Sequence, residues 1–284
     1  MTDAGYELLD SGSGRKLEKV GEWIVNRTAA QAFWAPKLHE REWARAHAFH
    51  RRSEGGGGSW ETRVPLPARW PVTIEGIKLW AKLTPFGHLG LFAEHASQWS
   101  WLRDCVREAS SSGTVEILNL FAYTGGATLA CADAGASVCH VDAAKGVVDW
   151  ARDNATLSGL EDRPVRWIVD DCAAFLKREE RRGHRYHGVI MDPPSYGRSG
   201  RGKVWKIEDA LPELLDLCKA VLEPHPLFIL FSCHSPSFSP LVIENLLRER
   251  FDRPEDVASG EMTISESAAG RLLPSGVFTR WAGW

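Results

Sequence analysis

From about residue 96 onward, short unbroken apolar runs alternate with stretches of helical composition. The runs cover residues 115–120, 138–141, 165–169, 189–191 and 227–231, and the helical stretches cover 127–134, 144–158, 173–182 and 207–222. A strand covered on both faces reads as a continuous apolar run, and helical crossovers between such strands produce a parallel sheet. A further helix over 241–250 and two late strands near 262–265 and 277–281 complete the pattern. It predicts an α/β fold with a doubly wound, mostly parallel seven-stranded sheet.

Upstream the pattern differs. Residues 6–10 and 16–27 read as short strands joined by a Ser-Gly-Ser-Gly turn, and the charged, Ala-rich stretch 40–52 predicts a surface helix. Four glycines, Gly55 to Gly58, form the clearest compositional break. Beyond them, residues 72–74 and 77–83 flank Glu75-Gly76 and predict a hairpin. The expected organisation is a small N-terminal β-rich extension over residues 1–84 and the sheet domain over 85–284. No internal repeat is visible.

Composition narrows the functional classes. A net charge of −3 over 284 residues gives no global pull on a polyanion, so nucleic-acid contact requires a local basic surface. The six cysteines contain no Cys-x-x-Cys pair, which fits neither a zinc site nor a disulfide framework and suits a reducing cytosol. No metal is expected, and the expected location is cytoplasmic. The opening MTDAGYELLD lacks the basic cluster and apolar run of a signal peptide. The longest stretch without Lys, Arg, Asp or Glu, residues 224–243, carries four prolines and two histidines, so no membrane span is expected. Both a monomer and a homo-oligomer stay open.

In a doubly wound sheet, ligands bind beyond the carboxyl ends of the strands. The first strand ends in Asn119-Leu-Phe-Ala-Tyr-Thr-Gly-Gly126, where Gly125 and Gly126 permit a tight turn and a close backbone approach. The second ends in Asp142, placed to accept hydrogen bonds from two ribose hydroxyls. The third ends in Asp170-Asp171-Cys172, where a carboxylate suits an adenine amino group or the N-cap of the next helix. The fourth ends in Asp192-Pro193-Pro194, whose prolines fix the backbone and leave carbonyls free to face the cleft. The four signals together point to a Rossmann-like site for a nucleoside cofactor. The G-x-G-x-x-G fingerprint is absent, which disfavours an NAD-dependent oxidoreductase.

The series FAYTGG, VD, DD and MDPPSY resembles the class I S-adenosylmethionine-dependent methyltransferases, over about residues 80 to 240. Within them it is most similar to the bacterial large-subunit (23S) ribosomal RNA enzymes that make 5-methylcytosine, and to their guanine-methylating relatives. The resemblance implies S-adenosyl-L-methionine as cofactor and ribosomal RNA as substrate. It places Phe121, Tyr123, Thr124 and Gly125 at the methionine end of the cofactor, Asp142 at the ribose and Asp171 at the adenine amino group. Gly90-Leu-Phe92-Ala-Glu-His95 resembles the family segment that closes over the cofactor, although Glu94-His95 stands where Asp-Gln is more usual.

The acceptor site follows from the chemistry. Carbon 5 of a pyrimidine is a poor nucleophile until a thiolate adds to the neighbouring carbon. Cys233, in Phe231-Ser-Cys-His234, is the candidate catalytic nucleophile, since the related 5-methylcytosine enzymes carry Phe-Ser-Cys there and the guanine enzymes carry asparagine. Asp192 is expected near the methyl group, contacting both the cofactor and the edge of the base. Tyr196 suits stacking on a flipped base, with Pro193 and Pro194 lining the substrate. The following segment carries Arg198, Arg201, Lys203 and Lys206 with no acidic residue, and its glycines predict a mobile loop that contacts phosphates while Trp205 stacks. Residues 1–60 are too short for the RNA-binding module of the PUA type that many relatives carry. Cytosine methylation through Cys233 is the favoured reading. Guanine nitrogen methylation, a small-molecule or protein acceptor, and a non-catalytic cofactor-binding module are the alternatives.

Overall fold

Alternation of buried and exposed positions sets the strands of the N-terminal region. The computed structural model describes residues 5–53, 57–111, 113–198, 204–251 and 257–283. They fall into two units, Met1–Ala96 with Thr263–Ser275, and Ser97–Met262 with Gly276–Trp284. In the first unit β1 (Tyr6–Gly12), β2 (Arg15–Val20), β3 (Trp23–Thr28), β4 (Ala48–Arg52) and β5 (Gly58–Thr62) form one sheet in that order. The pair β6 (Trp70–Ile74) and β7 (Ile77–Ala81) is the expected hairpin, with left-handed φ values of 47° at Glu75 and 78° at Gly76.

Two expectations change here. The stretch 16–27 breaks at Gly21 into β2 and β3, and the helix expected over 40–52 is a single turn, α1 (Glu40–Trp43), followed by β4. Ala48 and His50 are buried while Arg51 and Arg52 are exposed, and β4 is paired on both sides, by β3 and β5, so sheet pairing overrides helix-favouring composition. The glycine run joins β4 to its antiparallel partner β5 and marks no boundary.

Buried charge ties this unit together. Glu18 accepts from Tyr6 Oη at 2.7 Å and from Arg27 Nε and Nη2 at 2.6 and 2.7 Å, with Lys16 at 3.0 Å. Asp10 accepts from the main-chain N–H groups of Lys37 and Leu38, from Trp43 Nε1 and from Arg271. The segment 263–275 joins through Ser267 N to Leu8 O at 2.9 Å and through Leu273, which packs on Leu8 and Ala32.

In the second unit α2 (Ala96–Ser110) leads into β8 (Glu116–Leu120), α3 (Gly126–Asp133), β9 (Ser137–Asp142), α4 (Lys145–Leu157), β10 (Val165–Val169), α5 (Cys172–Arg182) and β11 (Gly188–Met191). A strand pair, β12 (Tyr196–Arg198) and β13 (Val204–Lys206), precedes α6 (Ile207–Ala220), β14 (Phe228–Cys233), α7 (Pro240–Arg248), β15 (Val257–Ser265) and β16 (Leu272–Ala282). The seven-stranded sheet has the order β10-β9-β8-β11-β14-β16-β15, as the apolar runs predict. Its first five strands pair in parallel and β16 runs antiparallel to β14. Strand order reverses between β8 and β11, the crevice where such sheets bind ligands. Among the described residues, no helix is long and apolar enough to cross a membrane.

Burial alone would raise the Glu18 carboxyl, but Arg27 and Lys16 overrule it and hold the pKa at about 2. The unfolded value is about 4.3, so this contribution to stability is present above that pH and lost as pH falls towards 2. Glu18→Gln, which strips the partner from a buried Arg27, is expected to cost about 3–5 kcal/mol at neutral pH. Thermal unfolding between pH 2 and 7 should show a flatter acid limb in the variant, and an identical limb would rule out Glu18 as its source.

Candidate functional site

The turn after β8 is the centre of the site, and its backbone is unusual. Phe121 and Tyr123 have left-handed φ values of 53° and 49° without being glycine, at a cost of about 1–2 kcal/mol each. Neighbouring elements hold them there. Phe121 N donates to Cys172 Sγ at 3.4 Å, Ala122 N to Val141 O at 3.1 Å and Tyr123 N to Asp142 Oδ2 at 3.0 Å. Asn154 Nδ2 of α4 donates to Thr124 O at 2.9 Å.

The two glycines have different jobs. Gly125 is the left-handed N-cap of α3 with φ 88°, as a tight turn requires. At Gly126 a Cβ would lie 2.3 Å from Trp99 Cζ2, so that glycine serves helix packing.

The structure therefore gathers Phe121, Tyr123, Gly125 and Asp142 in one place. Asp142 Oδ1 takes a second main-chain N–H, from Ala144 at 2.9 Å. Burial raises its carboxyl pKa, against the pull of these two donors. Thr124 is buried, and its main-chain carbonyl accepts from Asn154. At the end of β10, Asp171 is exposed and N-caps α5, with Oδ1 accepting from Ala174 N at 2.9 Å. Phe92 lies in the other unit, its ring edge-on to His88 and His95.

Beyond β11, Asp192 is half-buried. Its Oδ1 accepts from Ser232 Oγ at 3.0 Å and its Oδ2 lies 3.7 Å from His234 Nε2. His234 is exposed, and sequence reasoning missed this placement because strand ends far apart in the chain had to be brought together. Pro193 is buried and Pro194 exposed. The carbonyl of Pro194 is not free, since Trp205 Nε1 donates to it at 2.7 Å.

The Trp205 ring packs on Phe121 with centroids 5.4 Å apart. Trp205 is thus committed to internal contacts, a correction to its expected stacking role. The expected mobile loop begins and ends as the paired strands β12 and β13. Tyr196 is 53% exposed there. Arg201 and Lys203 lie outside the described residues, as does the side chain of Arg198.

Cys233 is fully buried in the apolar cluster that includes Met191, Phe231, Ile243 and Val277. Burial, with smaller contributions from Asp192 and Glu208, pushes its thiol up to about 11. Successive side chains on a strand face opposite ways, so Ser232 turns to Asp192 while Cys233 follows Phe231 and Ile229 into the core.

A model of the S-adenosylmethionine-dependent methyltransferase family matches residues 17–225. The chain belongs to that family. A solved S-adenosylmethionine-dependent methyltransferase from Agrobacterium tumefaciens is 38% identical, with a TM-score of 0.92 over 100% of this chain and 92% of that one. A protein named ribosomal RNA large subunit methyltransferase K/L from Chromohalobacter salexigens is 30% identical over 75% of this chain and 28% of its own length. One named ribosomal RNA large subunit methyltransferase K from Neisseria meningitidis serogroup B is 29% identical over 85% and 65%. This methyltransferase spans less than two thirds of the length of either relative.

Its cofactor is S-adenosylmethionine, and the turn fits that group. A Cβ at Gly125 would stand 3.2 Å from Ala151 Cβ in a left-handed backbone, so the cradle excludes a side chain. Asp142 supplies an acceptor carboxylate beside it. Asp142→Ala is expected to raise the S-adenosylhomocysteine dissociation constant by about tenfold or more, as loss of charge-assisted hydrogen bonds does. The ligand-induced rise in melting temperature should shrink accordingly, and an undiminished rise would remove Asp142 from the site.

Proposed function

We propose that this methyltransferase acts on RNA, passing the methyl group directly to a ring or amino nitrogen of a guanine base. The observation that carries the choice of acceptor is the burial of Cys233 with a raised thiol pKa. A nucleophilic cysteine works as the thiolate in an accessible position, and a core thiol that ionises near 11 supplies neither. A guanine nitrogen needs no covalent activation. RNA as substrate is supported by the names of the relatives and by the basic segment 198–206 beside Asp192.

In this reading Asp142 holds the ribose, Phe121, Tyr123 and Gly125 flank the methionine end, and Asp171 reaches the adenine. Thr124 completes that set. S-adenosylmethionine supplies a methyl group on a positively charged sulfur. Asp192, held by Ser232, accepts a hydrogen bond from an N–H of the base and steadies the positive charge that develops there. Tyr196 stacks on the base beside Pro193 and Pro194, and Arg198, Arg201 and Lys203 meet phosphates.

The sequence Phe-Ser-Cys favours a second reading, methylation of cytosine carbon 5 through Cys233. Cys233→Ser separates the two. Direct transfer predicts that the variant keeps at least about half of the parental rate, measured with nucleoside mass spectrometry of the RNA product. It also predicts no covalent adduct with RNA containing 5-fluorocytidine. Loss of turnover with intact cofactor binding, together with an adduct in the parent, would establish the cytosine route. Replacing Arg198, Arg201, Lys203 and Lys206 with Ala should weaken RNA binding and flatten its salt dependence while S-adenosylhomocysteine affinity holds. Unchanged RNA affinity would leave the segment as solvated surface.

A further inference from the structure

Trp205 touches two turns of the sheet unit at once, and the chemistry described so far leaves it without a task. Its indole Nε1–H donates to the Pro194 carbonyl at 2.7 Å, and its ring meets that of Phe121 with centroids 5.4 Å apart and planes at 49°. An indole nitrogen only donates and a carbonyl only accepts, so the direction of the bond is fixed. Phe121 is the first left-handed residue of the β8–α3 turn, with φ 53°, and its own N–H is held by Cys172 Sγ at 3.4 Å.

The Asp192-Pro193-Pro194 turn has few handles of its own. Neither proline has an N–H, so a carbonyl is the group by which each can be fastened. Trp205 of β13 takes the Pro194 carbonyl, and Ile207 N, at the start of α6, donates to Ser195 O at 3.1 Å. Pairing of Tyr196 with Lys206 closes the base of the β12–β13 pair at the same place. Successive side chains on a strand face opposite ways, so Trp205 turns inward to Pro194 and Phe121 while Lys206 is exposed. Asp192 itself is fastened from β14, where Ser232 Oγ donates to Oδ1 at 3.0 Å.

We propose that Trp205 is a positioning residue for methyl transfer. Its N–H fixes the turn that carries Asp192, its ring backs the turn that carries Phe121, and one side chain thereby keeps the two in register. This rests on the reading that Asp192 meets the base while residues 121–125 meet the cofactor. Register matters because a misplacement of about 1 Å costs about 10²-fold in rate.

The two contacts can be removed separately in the full chain. Trp205→Phe keeps a ring against Phe121 and removes the N–H. Trp205→Gln removes the ring and keeps a donor nitrogen the same number of bonds from Cα. Methyl transfer is measured on an unmodified large-subunit ribosomal RNA transcript at saturating S-adenosylmethionine. Trp205→Phe should lower kcat about tenfold, with the S-adenosylhomocysteine dissociation constant within about twofold of the parental value. Trp205→Gln should keep most of kcat and raise that constant about fivefold. Parental kcat in Trp205→Phe overturns the proposal. Equal losses in the Phe and Gln variants also overturn it, because that pattern marks packing alone.

Asp192→Ala and Asp142→Ala run in parallel. If Asp192→Ala turns over as fast as the parent, Asp192 does not meet the base and the proposal falls with that reading. Parental S-adenosylhomocysteine affinity in Asp142→Ala removes the cofactor reading in the same way. If Asp192→Ala loses turnover while Trp205→Phe keeps it, the proposal falls alone. Should the parent methylate no RNA, or Trp205→Phe not fold, the indole decides. Its N–H resonance in the parent should exchange slowly with deuterium, and fast exchange would overturn the inference.

Discussion

A single carboxylate at the end of β9 holds the turn on which the site depends. Asp142 takes one main-chain N–H from Tyr123 and another from Ala144, so it fastens the β8–α3 turn to the start of α4. The turn needs fastening because Phe121 and Tyr123 are both left-handed. Together they cost about 2–4 kcal/mol, and ordinary hydrogen bonds return about 1 kcal/mol each. Several ties are needed to offset that strain, and they come from β9, α4 and α5. Parallel pairing of β8 with β9 in fixed register brings those partners within reach.

The same turn is linked to the Asp192-Pro-Pro turn through Phe121. Its ring meets Trp205, whose indole N–H is bonded to the Pro194 carbonyl next to Asp192. The β8–α3 turn, the Asp-Pro-Pro turn and the β12–β13 pair thus form one packed series within the sheet unit.

Much of this was legible in the chain because strands covered on both faces leave continuous apolar runs. All seven strands of the main sheet could be placed, and the acidic residues at their ends followed. What stayed hidden depended on parity and register. Whether Cys233 or Ser232 faces Asp192 is decided by a one-residue phase along β14 that no local pattern reveals. Trp205 was expected to stack because its neighbours are basic, and its contact with Phe121 depends on two strand ends distant in the chain. The helix α2 escaped notice because charged residues dilute its buried face of Trp99, Leu102, Cys105 and Val106. Positive φ at Phe121 and Tyr123 was hidden for the opposite reason, since the adjacent glycines seemed sufficient to make the turn.

The make-up of the first unit bears on how the chain folds as it is synthesised. Residues 263–275 belong to that unit, and Arg271 and Glu266 from that segment pair with Asp10 and Ser11. Leu273 completes the apolar cluster around Leu8. Asp10 and Ser11 therefore leave the ribosome long before the side chains that satisfy them, while the whole sheet unit is still being made. Contacts this distant in sequence close late and slowly. The five-stranded sheet must wait in an unfinished form with a polar, partly open edge. A chain released before residue 266 would leave Asp10 without Arg271 and Ser11 without Glu266.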